Sequence, residues 1–295
     1  MTADKKKDKN CPDLKRQIVS LYINTINMET ITSNPEQVKS REGIVSREEW
    51  IAARTRHLVR EKELTRLHEE LMAERRRLPW VKIEKNYVFD GPKGKQTFAD
   101  LFEGRSQLIL RHFMFGPGWA EGCPGCSFAA DHVDGARQHF ENHDVSFVAV
   151  SRAPIEAIEA FKKRMGWHFN WVSAYRNDFN FDFHVSFPKE EVGKSKQFYN
   201  YEWQDIREEE LPGTSVFYKY ETGEIYHTYS TFGRGEDILV GAYNYLDLTP
   251  MGRNENGPFF NLMDWVKHHD RYGDKPLIAG LKERDSCCAS KEHQS

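Results

Sequence analysis

Residues 108–151 read LILRHFMFGPGWAEGCPGCSFAADHVDGARQHFENHDVSFVAVS, and the order of signals within them decides the fold. Leu108 to Phe113 is a short apolar run of the length of a buried strand. FGPGWAEGCPGC is a loop rich in glycine and proline that ends in two cysteines, Cys123 and Cys126, with two residues between them. From Phe128 through Ala129, Val133, Ala136 and Phe140 the apolar spacing becomes helical, and Val145 to Ser151 reads as a second strand. The unit is strand, cysteine loop, helix, strand.

Downstream, Pro154 opens a helix through Met165, and GWHFNWVSAYRNDFNFDF is expected to be aromatic-rich irregular structure. The charged residues 189–210 read as a surface insertion. Val216 to Tyr220 and Ile225 to Tyr229 flank Glu221-Thr222-Gly223-Glu224, a hairpin signal, and a helix follows from about Gly235 to Tyr245. This order predicts an α/β fold: a thioredoxin-like central mixed sheet flanked by helices, with a long N-terminal helix and a charged insertion.

That helix is announced by Ser46 and Glu49, the spacing of a capping box, and no Gly or Pro follows until Pro79. Over residues 46–79 it would be roughly 45 to 50 Å long at 1.5 Å per residue. Trp50, Ile51, Leu58, Leu64, Leu67 and Leu71 make a narrow apolar stripe in a charged cylinder, so the helix calls for a partner: its own domain, or a second copy in a homodimer. Residues 1–45 read as a flexible arm, 80–272 as the thioredoxin-like domain and 273–295 as a polar tail holding Cys287 and Cys288.

Forty-two basic and 45 acidic residues leave a formal charge of −3, with no single-sign field to draw the chain to nucleic acid or a membrane surface. No apolar run approaches the roughly 18 to 20 residues of a membrane span, and the Lys-rich opening is not followed by a secretory core. A cytoplasmic address is the expectation. Five cysteines in 295 residues, with one close pair outside the tail, do not resemble a secreted disulfide framework.

In a reducing compartment such a pair is catalytic or metal-binding. Cys123 at a helix start is the favoured nucleophile, because unpaired backbone N–H groups stabilise its thiolate. Cys126, nearly one turn on, can resolve a mixed disulfide. Arg152 in SRAP follows the second strand at the same sheet edge, where its charge would lower the thiolate pKa; the alternative is a surface ion pair. Trp119 and Tyr229 are candidates for the substrate pocket, with His227 and Tyr229 sharing one face of their strand.

Dithiol chemistry requires no cofactor and implies a small-molecule or protein thiol or disulfide as partner. The competing metal reading places Cu(I) on Cys123 and Cys126 with His112 or His227 as third ligand. His112 would otherwise serve as a proton shuttle, or simply as a hydrogen-bonded core histidine. A zinc site lacks a second Cys-x-x-Cys. Asp131 and His132 are secondary candidates, and His268 and His269 read as decoration on a solvated helix face. An idle scaffold binding through its long helix is a third reading.

The stretches RHFMFGPGWAEGCPGCSFAADHVDGA, VAVSRAPIEAIEAFKKRMGW and EIYHTYSTFGRGEDILVGAYNYLDLTPMGR closely resemble a thioredoxin-like domain-of-unknown-function family of bacteria and fungi. The resemblance runs from about residue 46 to the MDWVKHHDRY segment near residue 272. It implies a thioredoxin-superfamily fold and no particular substrate. The chain departs from thioredoxin in lacking a proline directly before Val216, with Pro212 the nearest candidate. Its long loop with Trp119 is more similar to peroxiredoxins, which leaves a peroxidatic role for Cys123 open.

Overall fold

The structure, a computed structural model, describes residues 43–253 and 265–273. Helix α1 (Arg47–Arg75) starts where the capping box predicts: Glu49 N–H donates to Ser46 Oγ at 3.2 Å and Ser46 N–H donates to Glu49 Oε2 at 2.9 Å. It ends ahead of Pro79, and none of its residues is buried. The expectation that it packs along its own domain is not met by the described residues.

The core is an eight-stranded mixed sheet in the order β1-β10-β9-β4-β5-β6-β2-β3. Strands β4 (Gln107–His112), β5 (Val145–Ser151) and β6 (Asn170–Ser173) run parallel, and β9 (Gly213–Lys219), paired antiparallel to β4, forms the expected hairpin with β10 (Ile225–Thr231). The hairpin β2 (Val88–Gly91) and β3 (Gly94–Thr97) extends one edge, and β1 (Val81–Lys82) extends the other. Helices α2 (Pro124–Ala130) and α3 (Val133–Glu141) connect β4 to β5, and α4 (Ile155–Met165) connects β5 to β6. Parallel neighbours require such crossovers, because a tight turn can only reverse direction.

Side-chain alternation divides the interior into two layers. Leu108, Leu110, Val148, Val150, Val172 and Phe217 face one side, packing with Phe89, Phe98, Phe102 and Phe179. Phe113, Phe147, Ala149 and Trp171 face the other, where Ala130, Ile158, Phe161 and Met165 of α2 and α4 cover them. Each fully buried Phe or Leu contributes about 1.5–3 kcal/mol relative to exposure, so twelve large side chains that are essentially inaccessible make these layers the main source of stability.

Several expected elements differ. The single helix after the cysteines is broken at Asp131 and His132, because Asp131 turns to accept from Trp167 Nε1 at 2.8 Å and from the His269 ring at 2.7 Å. The stretch read as irregular contains β6 and the short helix α5 (Phe179–Asp182). Residues 235–245 form a 3₁₀ segment, Gly233–Leu239, followed by α6 (Gly241–Leu246). The charged insertion forms a separate hairpin, β7 (Lys196–Tyr199) with β8 (Glu202–Asp205), yet its last member, Glu210, is buried.

Candidate active site

The loop after β4 brings the two cysteines back onto the sheet. Cys123 N–H donates to Met114 O at 3.0 Å and Met114 N–H donates to Cys126 Sγ at 3.4 Å, so one residue brackets the pair. Gly122 is required by close packing: a Cβ there would lie 2.6 Å from Phe113 Cε1 and 2.8 Å from Phe161 Cε1. Its carbonyl accepts from His268 Nε2 at 2.8 Å. His268 is therefore not on a solvated face. It is 1% exposed and pins the residue before the nucleophile, because a carbonyl can only accept and the ring must carry its proton on Nε2.

Cys123 caps α2, with Pro124 at the first helical position, where a missing N–H costs nothing. Both cysteines are free thiols; Cys123 is half-buried and Cys126 is 2% exposed. They border a cavity of about 320 Å³ whose walls include Arg111, Met114, Phe128, Pro212 and Glu236. Cys123 is lowered to about 6, first by the hydrogen bond from the Cys126 thiol, then by the N–H groups of Cys126 and Gly125 and the charge of Arg111, against the opposing effect of burial. Cys126 is pushed up by that same bond and by burial. The two thiols thus differentiate into a thiolate and its proton donor.

The cation beside them is Arg111, which the sequence reading did not select. Its guanidinium pairs with the Glu236 carboxylate and donates to Thr214 Oγ1 at 3.2 Å, and Thr214 donates to the same carboxylate at 2.6 Å. All three are buried. The available signal was a charged residue inside the apolar run LILRHF, since an arginine there must find a partner. Glu236 carried no such signal.

Other candidates lie elsewhere. Arg152 donates to Glu210 Oε1 at 2.8 Å and stacks on Phe181 at 4.3 Å, so its charge is engaged away from the cavity walls. Trp119 packs against the apolar layer that Cys123 also touches, but it does not line the cavity. Tyr229 sits under the Arg75 guanidinium at 4.3 Å, in a separate cleft with Trp80 and Val216. It does not share a face with His227 because the ladder slips between them: His227 is opposite Phe217, Tyr229 opposite Val216. His132 approaches Ala242 N–H at 3.4 Å and is lowered by burial.

His112 and His227 occupy the opposite layer. His112 Nε2 is 2.9 Å from Ser215 Oγ, Ser215 Oγ is 2.8 Å from Ser230 Oγ, and Ser230 Oγ is 2.7 Å from His227 Nε2. His227 Nε2 also lies 3.0 Å from Tyr229 O, which fixes a proton on that nitrogen. Burial lowers His112 to about 3 and lowers His227 as well. The ligand set of two cysteines with either imidazole is therefore not assembled, and among the described residues no group of three His, Cys, Asp or Glu side chains is placed to hold a metal. Cys287 and Cys288 lie outside the described residues.

Pro212 directly precedes β9, which begins three residues earlier than the sequence suggested, and it lines the cysteine cavity. A parallel β4-β5 pair with its crossover helix and the antiparallel β9-β10 hairpin, ordered β5-β4-β9-β10 with a Cys-x-x-Cys after the first strand, is the arrangement of the thioredoxin superfamily. Within it, the chain belongs to the family described as "Bacterial protein of unknown function (DUF899)", whose model matches residues 39–272. No curated protein matched the sequence.

Among solved structures the chain is similar to peroxidoxin BcpB from Mycobacterium tuberculosis, at 13% identity and TM-score 0.39 over 57% of this chain and 97% of that one. A cysteine-to-serine mutant of Xanthomonas campestris peroxiredoxin Q gives 15% and 0.38 over 54% and 91%. A yeast mitochondrial 1-Cys peroxiredoxin gives 18% and 0.32 over 55% and 74%. The fold assignment rests on strand order, and these similarities say nothing of substrate. No helix among the described residues is long and apolar enough to cross a membrane.

Proposed function

We propose that the protein is a thiol-dependent oxidoreductase in which Cys123 attacks a disulfide, a peroxide or a related small electrophile and Cys126 resolves the product. The observation that carries this reading is the asymmetric thiol pair bordering one cavity: a half-buried Cys123 at the start of α2 and a buried Cys126 three residues on, with Arg111 in the same cavity wall.

With a disulfide substrate, the Cys123 thiolate forms a bond to one sulfur and the other leaves as a thiolate. Once Cys123 is bound in a neutral mixed disulfide, the thiolate that held the Cys126 proton is gone. The bond to Cys123 and its negative charge, which both raised Cys126, disappear, while burial and the opposing charge of Arg111 remain, so Cys126 loses its proton more readily and attacks Cys123 Sγ. The second substrate half leaves as a thiolate and the protein is left with a Cys123–Cys126 disulfide, which an external dithiol must reduce. With a peroxide, Cys123 takes one oxygen to become a sulfenic acid, the alcohol leaves with a proton, and condensation with Cys126 releases water. Neither route needs a bound cofactor, and both suit a reducing, cytoplasmic setting.

Cys126→Ser is expected to trap a covalent adduct at Cys123 with glutathione disulfide or, with hydrogen peroxide, a sulfenic acid captured by dimedone. Mass spectrometry that finds Cys123 unmodified by both reagents would overturn the reading.

A further inference from the structure

A second cavity, of about 430 Å³, borders the layer that holds His112 and His227. Four separate segments wall it: the chain that continues β1 toward Tyr87, the end of α5 with the two residues after it, the β7–β8 hairpin, and β10. Tyr87, Phe183, Phe198, Tyr201 and Phe232 line it beside the imidazole of His227. Such a space has the size and the aromatic walls of a small-molecule site, roughly 300–1,000 Å³.

The hydrogen bonds behind His227 assign its proton from both ends. Tyr229 O, 3.0 Å from His227 Nε2, and Asn180 Oδ1, 3.4 Å from His112 Nδ1, can only accept. His227 therefore donates from Nε2, and His112 donates from Nδ1 and accepts at Nε2. Between the rings, Ser230 accepts from His227 and donates to Ser215, and Ser215 donates to His112. His227 Nδ1 is left as an acceptor without a partner among the described residues, on a ring that lines the cavity. Burial lowers His227, which keeps the ring uncharged near neutral pH.

The charges at the cavity are balanced. Lys85 Nζ donates to Asp178 at 2.9 Å and to Asp182 at 2.7 Å, Tyr87 donates to Asp182 at 2.7 Å, and Lys82 and Glu84 are of opposite sign. The walls are also held at a cost to the backbone. His184, Asn200 and Tyr201, with φ of 54°, 51° and 65°, all border this cavity in the left-handed region that favours glycine, and strain of this kind collects at ligand sites.

We propose that this cavity is a second ligand site, separate from the thiol pair, for a small neutral planar aromatic molecule that stacks among the Tyr and Phe rings and donates a hydroxyl or N–H to His227 Nδ1. A neutral imidazole fixed as an acceptor selects a donor, the rings select a flat apolar body, and the balanced charges give an ionic ligand no counter-ion. This inference is independent of the thiol chemistry.

The test is calorimetric titration of the full chain with indole, with benzofuran, which has the same shape but no donor, and with indoleacetate. Indole is expected to saturate one site, and benzofuran and indoleacetate should each bind about tenfold more weakly. Phe198→Ala, a part-buried position in the surface hairpin, should weaken indole by a similar factor. His227→Phe keeps a ring and removes the acceptor, so it should bring indole down to the affinity of benzofuran. Absence of saturable indole binding overturns the proposal. So does equal affinity for indole and benzofuran, tighter binding of indoleacetate than of indole, or indole binding unchanged by Phe198→Ala, which would place the probe elsewhere, as in the cysteine cavity.

Discussion

Arg111 and His112 are neighbours in β4, and the two faces of the sheet treat them in opposite ways. On one face Arg111 remains a charge, held by Glu236 and Thr214 beside the thiol pair. On the other His112 is held as a neutral ring in a chain of hydrogen bonds through Ser215 and Ser230 to His227. The first network is buried and the second is buried except at the half-buried His227, and only the first borders the cysteine cavity. A polar residue inside a strand takes its role from the layer that its side chain enters.

The largest test of that contrast is Glu236→Ala. Stranding the Arg111 guanidinium in a buried site should destabilise the protein by about 3–5 kcal/mol, read from urea unfolding. An effect below about 1 kcal/mol would mean that the pair is open to water and that the faces do not differ as described.

The next test is reactivity. The pH midpoint of Cys123 alkylation should rise with Cys126→Ala, and rise by a smaller amount with Arg111→Met, because the Cys126 thiol is the larger influence on the thiolate. His112→Asn should leave the midpoint in place. A shift with His112→Asn equal to that with Arg111→Met would remove the distinction between the two layers.

The pH dependence of stability should carry opposite slopes from two buried groups. His112 is lowered to about 3 from an ordinary value of 6.5, so below pH 6.5 the unfolded chain takes up a proton that the folded protein refuses. Stability then falls as pH drops through that window. Glu210, beside the cysteine loop, is raised by burial from 4.5 to about 7, so the folded protein holds the extra proton and stability falls as pH rises from about 4.5 to 7. His112→Asn and Glu210→Gln should each remove one slope when urea midpoints are compared between pH 4.5 and 7.5. The smallest expected effect is that of Ser230→Ala, about 1 kcal/mol from the lost bridge between Ser215 and His227, with Cys123 reactivity unchanged.

Much of this architecture was legible in the sequence because it rests on local rules. The capping box at Ser46, the strand-loop-helix-strand unit around Cys123 and the hairpin around Gly223 depend on residues a few positions apart. Arg111 was half legible, as a charge in an apolar run. Its partner Glu236 was not, since it lies 125 positions along the chain and nothing in the sequence traces the pairing. His268 is similar: a histidine in a charged segment reads as solvated until Gly122, 146 residues away, supplies the carbonyl it binds.

By itself the sequence determined the fold class, the position of the thiol pair at the end of a strand, and the long helix that starts at its capping box, because periodicity and capping act within a few turns of chain. Tertiary structure alone decided which charge stands next to Cys123, which histidines are kept from it, and how β10 changes face between His227 and Tyr229. Those outcomes depend on a strand's two faces and on a ladder slip of a single residue, and one residue of register exchanges the whole environment of a side chain.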